Sequence, residues 1–291
     1  MEFIQQLING LALGSVYALL ALGYTMVYGI IQLINFAHGE IYMIGAFAGF
    51  YSATTLKLPL IPTLLIAMAA SALAGIIIEK IAYKPLRNSP RITLLITAIG
   101  VSLLLQNTMR ILVGSDPKPF PDLINAGTLN IGAVQIQWKT ILMFLVSALL
   151  VLVLQFIVYK TKLGKAMRAA SQDIEAASLM GINVNNTISF TFALGSALAG
   201  IAGVLVAISY PSITPYIGVM PGLKSFVAAV LGGIGSIPGA LVGGLLIGIL
   251  ETLSKAYIST SFSDAIVFGI LILILLIKPS GLLGKKANVK V

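Results

Sequence analysis

Few residues in this chain bring acid–base or ligand chemistry into apolar surroundings. The single histidine, His38, stands two positions before Glu40 in the segment NFAHGEIYMIGAF, which opens with Asn35. Further on, Gln106, Asn107 and Arg110 interrupt an apolar run. Gln106 and Arg110, four positions apart, share one helical face, with Asn107 one step round. In an intramembrane enzyme, His38 or Glu40 would be the residue whose loss abolishes turnover. No nucleophile, base and orienting group stand out as a set, so no catalytic residue is assigned. One histidine and no cysteine exclude a multi-histidine centre and a thiolate site, so no metal ligand is assigned either. Ionisable groups at membrane depth face a cavity or a bundle interior. Asn35, His38 and Glu40 therefore either cap and bend a broken helix through structural hydrogen bonds, or line a pathway in which Glu40 offers an amino group a charge partner. Gln106 and Asn107 allow the same pair of readings: interhelical hydrogen bonding or a polar stripe along a conduit.

A second candidate is the glycine-rich GGIGSIPGA, with Gly232, Gly233, Gly235 and Gly239. It lacks the lysine of a phosphate-binding loop, and no acidic cluster accompanies it, so nothing here hydrolyses ATP. These glycines either let backbones pack closely or expose helix ends that gate a path or meet a carboxylate.

The elements that must hold these residues are membrane helices. Of 291 residues, 58% are hydrophobic and 9% charged, with a mean hydropathy of +1.03. A soluble domain has about 45–50% apolar and about 25% charged residues, so the surplus apolar surface must face lipid. The 29 glycines suit close helix packing and broken helices. Apolar runs cover 7–31, 41–55, 60–78, 92–113, 140–159, 188–209, a glycine-broken stretch at 225–250, and 265–277. The expected fold is an all-α polytopic transmembrane helical bundle of about eight or nine membrane segments, including glycine-broken or re-entrant elements, in one domain spanning 1–291. The opening MEFIQQ lacks the basic start of a signal peptide.

The net charge of +9 is concentrated. Lys80, Lys84, Arg87 and Arg91 follow the third run, Lys160, Lys162, Lys165 and Arg168 follow the fifth, and Lys278, Lys285, Lys286 and Lys290 lie in the tail. The positive-inside rule makes all three places cytoplasmic. The pattern suits membrane topology and not a nucleic-acid face. An even number of crossings must then separate the second and third clusters. Hence 225–250 is either a re-entrant pair or two tilted crossings meeting at GSIPG. The interrupted segment around His38 gives both halves a broken element, which permits an inverted repeat. The charge pattern accepts an outside N-terminus with nine crossings or an inside one with eight and re-entrant pieces.

Residues 164–188, GKAMRAASQDIEAASLMGINVNNTI, begin a polar stretch on the basic side. Leu163, Met167, Ala170, Ile174, Ala177 and Gly181 fall on one helical face, with charged and polar residues flanking it. An amphipathic helix over about 163–181 follows. It either joins two spans along the membrane surface or projects into a cytoplasmic partner.

In this stretch Glu175-Ala176-Ala177 with Gly181 resembles the EAA loop of bacterial ABC importer permeases. The fuller set, including Gly164, Ala166, Arg168, Ala169, Asp173 and Ile182, is similar to permeases of branched-chain amino-acid importers. The leucine–proline that ends the broader EAA pattern is missing, as is usual in the branched-chain class. NFAHGEIYMIGAF and GGIGSIPGALVGG resemble two signatures of the H-type branched-chain permease, so the likeness runs the length of the chain. It implies a transport subunit, not an enzyme, in the bacterial inner membrane with a cytoplasmic C-terminus. Arg168, Asp173, Glu175, Ala176, Ala177 and Gly181 would couple it to an ATPase. The chain itself would bind no cofactor, ATP-Mg being used by partner subunits. The implied partners are a second related permease, two cytoplasmic ATPases, an extracytoplasmic substrate-binding protein and membrane lipid, with no nucleic acid. Permeases for urea or short amides share these segments, and a stand-alone channel, a secondary transporter or an intramembrane enzyme are alternatives of other classes.

Overall fold

A computed structural model describes residues 2–87, 89–124, 127–131 and 134–284. The tail lysines Lys285, Lys286 and Lys290 lie outside the described residues. The chain folds as a polytopic helical bundle: α1 (Glu2–Ile31), α2 (His38–Thr54), α3 (Leu60–Ile78), α4 (Arg91–Val113), α5 (Trp138–Lys160), α6 (Lys162–Gln172), α7 (Ile174–Leu179), α8 (Val184–Ser209), α9 (Val219–Gly232), α10 (Ile237–Tyr257) and α11 (Ser263–Ile277). Two strands, β1 (Thr128–Ile131) and β2 (Val134–Gln137), form an antiparallel pair in register Thr128 to Gln137. This pair departs from the all-helical expectation. The alternation of polar and apolar residues in TLNI and VQIQ suits half-exposed strands, and Gln135 N donates to Gln5 Oε1 at 3.0 Å, tying the hairpin to the start of α1.

Among the described residues six helices are long and apolar enough to cross a membrane: α1, α3 with its continuation to Leu86, α4, α5, α8 and α10. The apolar α9 and α11 are shorter, at 14 and 15 residues, and α2 has 17. Eight or nine membrane segments were expected; among the described residues six helices reach that length and composition, and α9 and α11 are shorter apolar helices.

Burial separates a centre from a periphery. The apolar window of α1 is 94% buried and that of α4 only 11%. Small residues let α1 sit in the middle: Gly10 and Gly14 face Ile249 and Leu245 of the antiparallel α10. A Cβ on Gly14 would lie 2.8 Å from both the Cα and the carbonyl oxygen of Leu245. Only glycine permits that backbone approach, and in lipid such dispersion contacts replace the missing hydrophobic drive between helices.

The two ends of the bundle differ. At the basic end Gln32, Arg87, Arg91, Gln172 and Glu175 border a cavity of about 820 Å³. At the other end Gln5, Gln135, Tyr210 and Lys255 border one of about 490 Å³. There a backbone bridge joins Lys118 to Ile213, with N to O distances of 2.9 and 3.0 Å. The stretch around 225–250 is divided between two helices. α9 and α10 are two helices meeting at residues 233–236, and they meet at the basic end, where Ile234, Gly235 and Ser236 share a cavity of about 470 Å³ with Tyr159, Met167 and Arg168. Gly233 and Gly235 have φ of 104° and 91°, conformations that disfavour a side chain. Leu282 N and Leu283 N return to the carbonyls of Leu231 and Gly232 at 2.8 and 2.9 Å, satisfying acceptors that the helix end leaves free.

Candidate functional site

The polar residues around the start of α2 form a buried group. Asn35 Oδ1 accepts from Ala37 N at 3.1 Å and from the Tyr83 hydroxyl at 2.7 Å, so it holds the chain where it turns into α2. His38 is buried, with its ring edge-on to Tyr24 at 4.8 Å between centroids. Glu40 Oε1 accepts from Gln106 Nε2 at 2.6 Å and from Ser102 Oγ at 3.1 Å. Glu40 and Gln106 border one cavity, of about 180 Å³, between α2, α4 and the start of α9. Asn35 Nδ2, His38 Nε2 and Glu40 Oε2 are buried without a partner among the described residues.

The structure thus brings together Glu40 and Gln106 of the expected pathway residues, with Asn35 and His38 buried along the same segment. Asn107 stands apart: it is exposed, and its Nδ2 bonds back to Leu103 O at 2.8 Å. Arg110 is exposed as well. Ser102 was missed in the sequence, although its position four residues before Gln106 puts it on the same helical face.

The expected helix over 163–181 is two helices. Asp173, at φ −158° and ψ 116°, interrupts it, and its Oδ1 accepts from Ala176 N at 2.9 Å to cap α7. An aspartate is a strong N-cap, so the local capping energy overrides the continuous apolar periodicity. Met167, Ala170 and Ala177 pack inward on the expected face, while Leu163, Ile174 and Gly181 of that face are exposed, as is Glu175. Arg168 lies over the Tyr159 ring, 5.5 Å from its centroid. Gly181 follows α7 at φ 81°, with Gly181 N bonded to Ser178 O at 3.0 Å and Ile182 N to Ala177 O at 3.1 Å. This is a glycine helix stop.

Beside this unit lies a cluster that sequence reading missed. Glu79, fully buried, pairs with Arg87 and accepts from Ser189 Oγ at 2.6 Å. Arg87 also donates to Asn185 Oδ1 at 2.7 Å. The polar link between α3 and α4 is thereby fastened to the first turns of α8. The Gly232–Gly239 contact is close: a Cβ on either residue would strike the other's backbone. It lies at the basic end, away from Glu40.

A second missed group lies in the bundle. Glu251 Oε1 accepts from Lys224 Nζ at 2.7 Å and from Lys255 Nζ at 2.5 Å, while Oε2 accepts from the Tyr17 hydroxyl at 2.8 Å. Lys224 Nζ also meets Asp264 Oδ1 at 2.7 Å. Four helices, α1, α9, α10 and α11, are joined through these charges. The available signal was that Lys224 and Glu251 are isolated charges at the two ends of the apolar stretch 225–250. Outside the spans, Asp122 accepts from Lys139 Nζ at 3.1 Å, and that hydrogen bond holds its carboxyl below the usual value.

The sequence profile described as "Branched-chain amino acid transport system / permease component" matches residues 6–275. The chain is 46% identical over 302 residues to the high-affinity branched-chain amino acid transport system permease protein LivH of Escherichia coli, covering 99% of this chain and 98% of that one. It is 44% identical over 302 residues to the corresponding protein BraD of Pseudomonas aeruginosa, covering 100% and 98%. Among solved structures, PsaBC from Streptococcus pneumoniae in complex with Fab is similar with a TM-score of 0.52 at 17% identity, covering 96% of this chain and 93% of that one. That likeness is one of fold.

Proposed function

This chain belongs to the permease-component family of branched-chain amino acid transport systems, and from that premise we propose that it is the transmembrane subunit of an ABC importer moving leucine, isoleucine and valine by alternating access. The observation that carries the reading is the 44–46% identity to permeases of that named activity over nearly the whole chain. It disfavours urea or short-amide transport and a stand-alone channel. The protein is a transport component and not an enzyme.

In this reading the basic end is cytoplasmic, in accord with the positive-inside rule. α1 then enters from outside, and α1, α2, α3, α4, α5, α8, α9, α10 and α11 make nine crossings of the bacterial inner membrane, ending inside. The chain is a single permease domain. Two cytoplasmic ATPases dock on α6 and α7, one on this chain and one on a second related permease, and they use ATP-Mg. An extracytoplasmic binding protein delivers the amino acid to the hairpin end. Arg168, Asp173, Glu175, Ala176, Ala177 and Gly181 form the coupling unit. The Asp173 cap fixes the angle between α6 and α7, exposed Glu175 meets the ATPase, and packing of Met167 and Ala177 passes the motion inward. Asn35, His38, Glu40 and Gln106 lie along the substrate pathway. Asn107 faces the second permease or lipid. Gly232 and Gly239 allow the close α9–α10 contact, and Gly233 and Gly235 the turn between the two helices, which together open and shut the inner side.

Purifying the tagged chain from its native membrane in mild detergent tests this. Two ATPases and a second permease are expected to accompany it. A homo-oligomer without any ATPase would contradict the reading.

A further inference from the structure

Among the described residues three glutamates are buried: Glu40, Glu79 and Glu251. Glu79 is paired with Arg87 and Glu251 with Lys224 and Lys255. Glu40 has no cation. Buried charges are ordinarily paired, because isolating one in a low dielectric is costly. Its Oε1 is satisfied by two neutral donors, Ser102 and Gln106, while Oε2 is buried without a partner among the described residues. The residue borders a cavity of about 180 Å³ that no basic side chain lines.

The rest of that wall has a definite chemistry. Ile99, Leu103, Leu223 and Phe36 give it hydrocarbon. The starts of α2 and α9 close one side with bare backbone, since a Cβ on Gly222 would lie 2.9 Å from Gly39 Cα. At about 30 Å³ per water in the liquid, the space equals about six waters, which is the scale of an ammonium group on a short branched hydrocarbon.

The geometry points to this cavity as the subsite for the amino group and branched side chain of the transported amino acid, with the Glu40 carboxylate accepting from the ammonium and the half-exposed Ile99, Leu103 and Leu223 lying along the hydrocarbon. The assignment rests on the importer reading and deepens it. Selection by charge and shape then occurs within the membrane as well as at the binding protein. An aliphatic carboxylate lacking the amino group has nothing to meet Glu40.

The test uses the assembled transporter purified with its partners. Two probes are compared by thermal unfolding: 3-methylbutylammonium, which carries the charge and the tail, and 4-methylpentanoate, which carries the tail alone. The first is expected to raise the midpoint of the wild type and not that of Glu40→Gln, and the second to raise neither. In proteoliposomes at saturating binding protein, Glu40→Gln is expected to slow leucine uptake at least about tenfold. Leu103→Phe, which narrows the cavity, is expected to lower the leucine-to-valine uptake ratio. That ratio decides the matter if Glu40→Gln does not assemble. Leucine uptake by the wild type together with an unaltered Glu40→Gln, or an unaltered ratio in Leu103→Phe, overturns the subsite alone. No branched-chain uptake by the wild type overturns the importer reading and the subsite with it.

Discussion

Removing Glu251 should destabilise the protein more than removing the lysine it pairs with. Glu251→Leu leaves Lys224 buried with only the half-exposed Asp264, and it leaves the Tyr17 hydroxyl without its acceptor. Breaking a buried pair costs about 3–5 kcal/mol and a stranded buried hydroxyl about 1–3 kcal/mol. With Asp264 still in place, about 4 kcal/mol is expected. Lys224→Met leaves Glu251 with Lys255 and Tyr17, so about 2 kcal/mol is expected. In Lys224→Met/Glu251→Leu both charges are gone and apolar side chains replace them. A buried pair exchanged for hydrocarbon is often close to neutral, which leaves the stranded Tyr17 hydroxyl at about 1–3 kcal/mol, so the double variant should lose about 2 kcal/mol, well short of the sum. At roughly 2–4 °C per kcal/mol for a chain of this size, the midpoints should fall by about 12, 6 and 6 °C. Thermal unfolding in detergent, followed by loss of the monodisperse species, measures all three. A Lys224→Met variant that loses more than Glu251→Leu, or a double variant equal to the sum, would refute the reasoning that these charges act as one buried unit.

Three further outcomes are expected. Gly14→Leu should cost about 1–3 kcal/mol through overpacking against α10, whereas Gly100→Leu, where an added Cβ meets nothing within 4 Å, should leave the unfolding midpoint near wild type. Gly181→Val should insert normally and cost about 1–2 kcal/mol of local backbone strain at its positive φ, and ATP consumed per leucine imported should rise; an unchanged ratio would count against its coupling role. The Asp122 carboxyl is lowered by Lys139, so this pair stabilises the fold above the unfolded carboxyl value of about 3.9 and the contribution is lost as pH falls through the lowered folded value. Lys139→Met should therefore differ from wild type at neutral pH and low salt and converge with it in acid; a gap that persists in acid would exclude this pair as its source.

Hydropathy located the long helices because crossing a membrane imposes a length and an apolar composition on each segment separately. The third run coincides with α3, 60–78, and the others lie within a few residues of their helices. The basic clusters marked one end of the bundle by the same kind of local rule. Pairings between distant residues were not legible in this way. Tyr17 and Glu251 are 234 positions apart, and no periodicity within either run indicates that they meet. Glu79 and Ser189 are 110 apart and were missed for the same reason. Glu40 and Gln106 were each singled out as polar groups in apolar surroundings, but their contact, and the exclusion of Asn107 from it, depends on how α4 rotates against α2. The break at Asp173 was within reach: an aspartate inside a helical pattern competes for the backbone as a cap, and the apolar periodicity obscured it.

The claim that this permease works as part of an ATP-driven importer is tested most directly by uptake of labelled leucine into proteoliposomes. These hold the chain with its co-purified partners, ATP inside and binding protein outside. Accumulation against the gradient is expected to require both ATP and binding protein and to be lost in Glu175→Lys while the complex remains inserted. Leucine entry that proceeds without ATP, or an undiminished rate in Glu175→Lys, would contradict it.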